Sequence, residues 1–124
     1  MTGWRLVGVH HVQLAMPPGQ EVAAERFYAD TLGMQRIPKP AHLAARGGCW
    51  FRASGLELHL GVEEGFRPSP KAHPALRVEG LASLRRSLED GGADVAEDTQ
   101  LEGHDRCYVR DPFGNRLELI EETG

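Results

Sequence analysis

Apolar and polar residues alternate along this chain in patterns that predict the same order of elements twice. From Val7 to Met16 β-forming residues dominate, and Val12, Leu14 and Met16 alternate with Gln13 and Ala15 as in a strand buried on one face. Pro17-Pro18-Gly19 ends that strand. Val22, Ala23, Phe27, Tyr28 and Leu32 then recur at three- and four-residue steps. They predict an amphipathic helix from Glu21, with Gly33 as its left-handed cap. Beyond Pro38 and Pro40, Cys49–Arg52 and Leu56–Val62 read as strands joined by a turn at Ser54-Gly55. After the stiff connector Pro68-Ser69-Pro70 the order restarts with a strand over Ala75–Val78. Leu81, Leu84 and Leu88 follow at helical spacing up to Gly91-Gly92, and Tyr108–Arg110 and Arg116–Glu121 flank the turn-forming Asp111–Asn115.

Sequence offsets support an internal repeat of about 60 residues. His11-Val-Gln-Leu precedes His73-Pro-Ala-Leu by 62 positions, Cys49-Trp-Phe-Arg precedes Cys107-Tyr-Val-Arg by 58, and Leu56-Glu-Leu precedes Leu117-Glu-Leu by 61. The change from 58 to 61 falls in the turn before the last strand, where insertions are tolerated. Two modules are expected, at about residues 5–64 and 71–122, within a single domain spanning 1–124.

Composition narrows the function. With 14 Lys+Arg against 18 Asp+Glu, a net charge of −4 and 6% aromatic residues, the chain has no basic stripe to follow nucleic acid. No apolar run approaches the roughly 18 residues of a membrane span and the N-terminus does not read as a signal peptide, so a cytoplasmic location is expected. Cys49 and Cys107 are then reduced and read as small core residues. A chain of 124 residues buries enough surface to fold without a disulfide or structural metal. Any metal would therefore serve chemistry.

The repeat singles out His11 and Glu57 in the first half and His73 and Glu118 in the second, spaced 46 and 45 residues apart. Each glutamate lies between two leucines, so strand alternation turns it to the face opposite them. Two imidazoles and two carboxylates suit a borderline divalent ion such as Zn, Ni, Co, Fe or Mn and leave positions open for water or substrate. His59 shares a face with Glu57 and either replaces it as ligand or lines the pocket; His10 points to the opposite face from His11. His42 and His104 read as solvated loop residues. Arg52 and Arg110, matched by the repeat, could steer an anion. No GxGxxG, Walker-type or GxSxG motif is present.

His-His-Val-Gln-Leu-Ala opening a strand, Arg-Phe-Tyr-Ala-Asp-Thr-Leu-Gly-Met, His-Pro-Ala-Leu-Arg-Val and Asp-Pro-Phe-Gly-Asn-Arg-Leu-Glu-Leu-Ile-Glu together resemble the vicinal oxygen chelate superfamily of glyoxalases, bleomycin- and fosfomycin-resistance proteins and ring-cleaving dioxygenases. The resemblance implies an α+β fold of two tandem βαβββ modules forming a cupped, barrel-like mixed sheet with helices outside. It also implies a homodimer with small-molecule sites between subunits. Carried over, the metal ligands are His11, Glu57, His73 and Glu118, and His11, His73 and Glu118 suffice in three-ligand branches. The implied reaction is a glyoxalase-type lyase or isomerase step on a vicinal-oxygen substrate through an enediolate, with Glu118, partnered by Glu57, moving the proton. His59 and Trp50 would contact substrate. Ala15 and Gly61 stand where glutathione-using members carry Arg and Asn, so the glutathione handle is missing. The alternative is a metal-free antibiotic-binding protein in which Trp50 stacks on a planar drug.

Overall fold

The computed structural model describes residues 3–97 and 101–123. Its elements run β1 (Val12–Met16), α1 (Glu21–Glu25) continuing as a π-helical segment (Arg26–Thr31), β2 (Gln35–Ile37), α2 (Ala41–Ala44), β3 (Cys49–Ala53) and β4 (Leu56–Val62). The second half runs β5 (Ala75–Arg77), α3 (Leu81–Asp90), β6 (Val95–Glu97), β7 (His104–Arg110) and β8 (Arg116–Glu122). Strand order is β1-β4-β3-β2 in one sheet and β5-β8-β7-β6 in the other. In each, the first and last strands of the module pair in parallel and the rest antiparallel. The fold is therefore α+β, built of two βαβββ units.

The barrel-like sheet suggested by the resemblance is corrected here. Among the described residues the two four-stranded sheets are separate, and strand pairing does not close them into a barrel.

Each sheet buries its leucine face. Phe27, Tyr28, Phe51, Leu58 and Leu60 pack in the first half, and Leu76, Leu81, Leu88, Val109, Leu117 and Leu119 in the second. Truncating one such leucine to alanine costs about 2–5 kcal/mol. Cys49 and Cys107 are buried free thiols within this core. The predicted first helix is present, closed by Gly33 at φ 75°, but its second half widens to a π turn marked by Leu32 N donating to Phe27 O at 2.9 Å. That turn brings the consecutive Phe27 and Tyr28 onto the core side together.

Three short elements, β2, α2 and β6, were not evident in the hydrophobic pattern. The first strand begins at Val12 rather than Val7. Val12 pairs with Leu58, and β4 extends only two residues further back, to Leu56, before its turn. β7 begins at His104 rather than Tyr108, because its polar first half is held by the ladder His104↔Glu122 through Arg106↔Ile120. His104 is thus a half-buried strand residue, not a loop residue, and its Nδ1 contacts Glu102 O at 3.1 Å. Among the described residues no helix is long and apolar enough to cross a membrane.

The two halves are fastened through the turn after β7. Tyr28 Oη donates to Asp111 Oδ2 at 2.7 Å, and Asn115 Nδ2 donates to Asp111 Oδ2 and to the Ala15 carbonyl of β1, each at 2.8 Å. Asp111 Oδ1 accepts from the amides of Phe113 and Asn115 at 2.9 and 2.8 Å. Burial, then the neighbouring Asp111 charge, pushes the Tyr28 hydroxyl well above its usual pKa.

Candidate functional site

Opposite the leucines, β4 presents Glu57, His59 and Gly61, and β8 presents Arg116, Glu118 and Ile120. Register decides which positions correspond. Cys49 pairs with Leu60 and Cys107 with Leu119; on the other flank Leu14 pairs with Leu60 and Leu76 with Leu119. Both neighbours therefore make His59, not Glu57, the counterpart of Glu118. Trp50 lies across from His59 as Tyr108 lies across from Glu118. Glu57 corresponds to Arg116. The turn before the last strand is longer by one residue rather than three.

In the second half, His73 precedes β5 and reaches diagonally to β8. Its Nδ1 donates to the Lys71 carbonyl at 2.8 Å, while Nε2 meets Glu118 Oε1 at 2.9 Å. The Lys71 carbonyl fixes the orientation of the His73 ring, and the contact of Nε2 with Glu118 Oε1 sets the two groups side by side, the kind of outer hydrogen bond that orients a histidine ligand. Glu118 is buried, at 6% exposure, and Arg106 Nη1 approaches its other oxygen at 3.4 Å. Tyr108 sits edge-on to His73 with centroids 5.1 Å apart, under the Arg116 guanidinium at 3.9 Å.

The first half holds a stack of rings at the matching place. His59, buried at 4% exposure, lies parallel to Trp50 at 3.9 Å and stacks on His11 at 4.1 Å. Its Nε2 donates to Glu57 Oε1 at 3.0 Å, and Arg52 Nη2 approaches Glu57 Oε2 at 3.4 Å. The His59 hydrogen bond holds the Glu57 carboxyl below its usual pKa; desolvation opposes this and Arg52 adds to it. His11 is exposed, and its Nδ1 meets His10 Nδ1 at 2.9 Å.

The sequence-selected ligands are thus brought together in part. His73 joins Glu118, and Glu57 and His11 each join His59. Among the described residues no three His, Cys, Asp or Glu side chains are gathered so as to hold a metal ion. Ala15 and Gly61 prove to be directly paired across β1 and β4, and a Cβ on Gly61 would lie 2.7 Å from Gln13 Nε2. That stretch of the face carries no charged handle. Arg110 ties the Gly114 carbonyl at 3.1 Å and those of Ser69 and Pro70 at 3.4 Å, so it braces loops. An open hollow of about 360 Å³ lies beside Val12, Leu14, His73 and Arg116. Arg106, Arg116 and Tyr108 were missed as site residues, because strand charges and aromatics carry no signal until the ladder places them beside Glu118.

A family model described as a glyoxalase-like domain matches residues 13–120. The structure of a protein assigned to the glyoxalase family from Bacillus anthracis is similar at 44% identity and a TM-score of 0.92, covering 96% of this chain and 98% of that one. A glyoxalase/dioxygenase from Nostoc punctiforme (20% identity, TM-score 0.76, 94% and 92% covered) shares the fold. So does the fosfomycin resistance protein FosX from Listeria monocytogenes (15% identity, TM-score 0.76, 96% of each chain). Among curated proteins nothing matches.

Proposed function

The chain belongs to the glyoxalase-like domain family within the vicinal oxygen chelate superfamily, and from that premise we propose that it is a divalent-metal-dependent lyase or isomerase acting on a small substrate with two adjacent oxygens. The carrying observation is the His73–Glu118 pair, in which the Lys71 carbonyl takes Nδ1–H and leaves Nε2 beside a buried carboxylate. The donor chemistry fits a borderline divalent ion. His73 and Glu118 would hold it on one side, and His11 with Glu57 or His59 would complete the set from a second copy, since among the described residues neither half gathers three donors. A bound divalent ion would supply Lewis-acid charge at the two substrate oxygens.

This chain's residues do the rest. Glu118 is the group that moves a proton between adjacent substrate carbons, with its two oxygens aimed by His73 and Arg106. Glu57 orients His59. Trp50, backed by the buried His59 ring, would contact substrate, and the bare Ala15–Gly61 pair favours a substrate other than glutathione.

Metal content of protein purified without chelator, with the thermal midpoint on adding Ni or Zn, tests this reading. An ion at 100 times its Kd stabilises by about 2.7 kcal/mol, a shift of several degrees. No bound ion and no shift would overturn it. The parallel Trp50–His59 stack favours a second reading, metal-free binding of a planar drug. In that case Trp50→Ala removes ligand stabilisation and Glu118→Gln does not.

A further inference from the structure

At one pair of matched positions the two sheets differ in charge. In the first sheet Arg52 lies directly across from Glu57, and the two form an ion pair at 3.4 Å. The corresponding residues of the second sheet are Arg110 and Arg116, again directly across from each other. Side chains so placed have Cβ atoms about 4.5–5.5 Å apart, and like charges there repel. Both arginines are half-buried, so water screens that repulsion less than it would on an open surface. Among the described residues neither guanidinium makes an ion pair. Arg110 donates to the Ser69, Pro70 and Gly114 carbonyls, while Arg116 donates to the Lys71 carbonyl at 3.3 Å and lies over the Tyr108 ring. Carbonyl dipoles and a ring soften two formal charges without cancelling them.

An open hollow of about 250 Å³ is lined by Arg110, Arg116 and Tyr108. Asp94 and Glu97 also line it, but Glu97 is paired with Arg85 at 2.6 Å and Asp94 makes no ion pair with either arginine. We infer that Arg116, backed by Arg110, is the receptor for an oxyanion of the substrate, a carboxylate or phosphoryl group bound on the same face as Glu118. Of the five N–H donors of a guanidinium, Arg116 commits one to Lys71, and the Tyr108 ring fixes its plane. A fork held in this way takes two oxygens at once. Arg116 stands two residues before Glu118 on one strand, about 6.5–7 Å along the same face. An oxyanion on Arg116 therefore leaves carbons a few bonds away beside the Glu118 carboxylate. The bound anion would do for Arg110 and Arg116 what Glu57 does for Arg52 in the first sheet, relieving the repulsion between them. The substrate class sharpens from a small vicinal-oxygen compound to one that also carries a negative group.

This inference rests on the proposed function for the site it deepens, and its test is kept free of metal. The full chain is titrated calorimetrically, in chelator, with inorganic phosphate and with malonate. At least one probe is expected to bind, less tightly as salt rises, and the tighter of the two names the group as phosphoryl or carboxylate. Arg116→Gln should weaken binding by about 10–100-fold, the worth of a hydrogen bond to a charged group, with an unchanged circular dichroism spectrum. Arg77→Gln removes the same charge from an exposed position on β5 and should leave the affinity as it is. If Arg116→Gln misfolds, arginine side-chain NMR of the wild type decides: phosphate or malonate should move the Arg116 Nε–H signal and leave that of Arg77 in place. A wild type that binds neither probe, equal losses in the two variants, or an Arg116 signal that stays put overturns the receptor. Binding that depends on Arg116 in a chain that takes up no metal would sink only the lyase reading. Metal uptake without oxyanion binding would sink only the receptor.

Discussion

One sheet position is filled by Glu118 in the second module and by His59 in the first, and each carries an aromatic residue directly across from it, Tyr108 and Trp50. In the second, the carboxylate is pinned between His73 and Arg106. In the first, the imidazole is clamped between two rings and leans on Glu57. The backbone repeats while the chemistry has diverged. One module offers an aimed carboxylate with a charged partner, and the other an aromatic wall with a carboxylate one place removed.

The strongest way to break this contrast is to neutralise the two glutamates separately. Glu118→Gln should abolish the metal-dependent rise in thermal midpoint and lower turnover by about 10²–10⁴-fold, the usual worth of a positioned acid–base group. Glu57→Gln should weaken metal binding by only about 10–100-fold, as expected for a group that orients a ligand. Metal titrations followed by calorimetry separate the two, and equal losses would mean that the modules are chemically equivalent after all.

A smaller effect probes the turns. Only the second module's turn carries Asp111 and Asn115, so Tyr28→Phe should cost about 1–2 kcal/mol through the lost bond to Asp111. It should appear as a lower urea midpoint at unchanged slope. A neutral result would leave the turn as a mere connector.

The smallest contrast lies in the helix starts. Glu121 accepts the Gly80 and Leu81 amides at 2.8 and 3.1 Å ahead of α3, whereas Gln20 makes no side-chain cap for α1. Those backbone bonds, Gly80's foremost, hold the Glu121 carboxyl below its usual pKa. A carboxyl depressed in the folded state contributes stability that is full above its unfolded value and lost as pH falls through the folded one. Glu121→Gln should therefore lower the thermal midpoint slightly at neutral pH, and the gap to wild type should close in acid. A gap independent of pH would assign the effect to packing.

Much of this was legible in the sequence. Periodicity placed α1, α3 and the long strands β4 and β8, and the His11 and His73 motifs exposed the repeat. The correspondence of Glu57 with Glu118 was misread for a physical reason. The sequence offset of 61 and the observed offset of 59 differ by two residues, and a strand's side-chain period is two. Either register turns the glutamates to the same face, so alternation cannot separate them, whereas the cross-strand partners Cys49↔Leu60 and Cys107↔Leu119 can. β2, β5 and β6 have only three residues each, and of these only β5 carried a legible pattern. The Arg106–Glu118 contact joins residues on different strands, a relation that no local spacing encodes.

The clasp from Asn115 to the Ala15 carbonyl has a consequence for cooperativity. A turn of the second module there bonds a main-chain carbonyl of the edge strand that leads back to His11 in the first. Opening either module would break the Asn115–Ala15 and Tyr28–Asp111 bonds that cross between them, so the two halves should lose protection from amide hydrogen exchange together rather than melting one by one. A chain built from two copies of one plan is thereby expected to fold as a single unit.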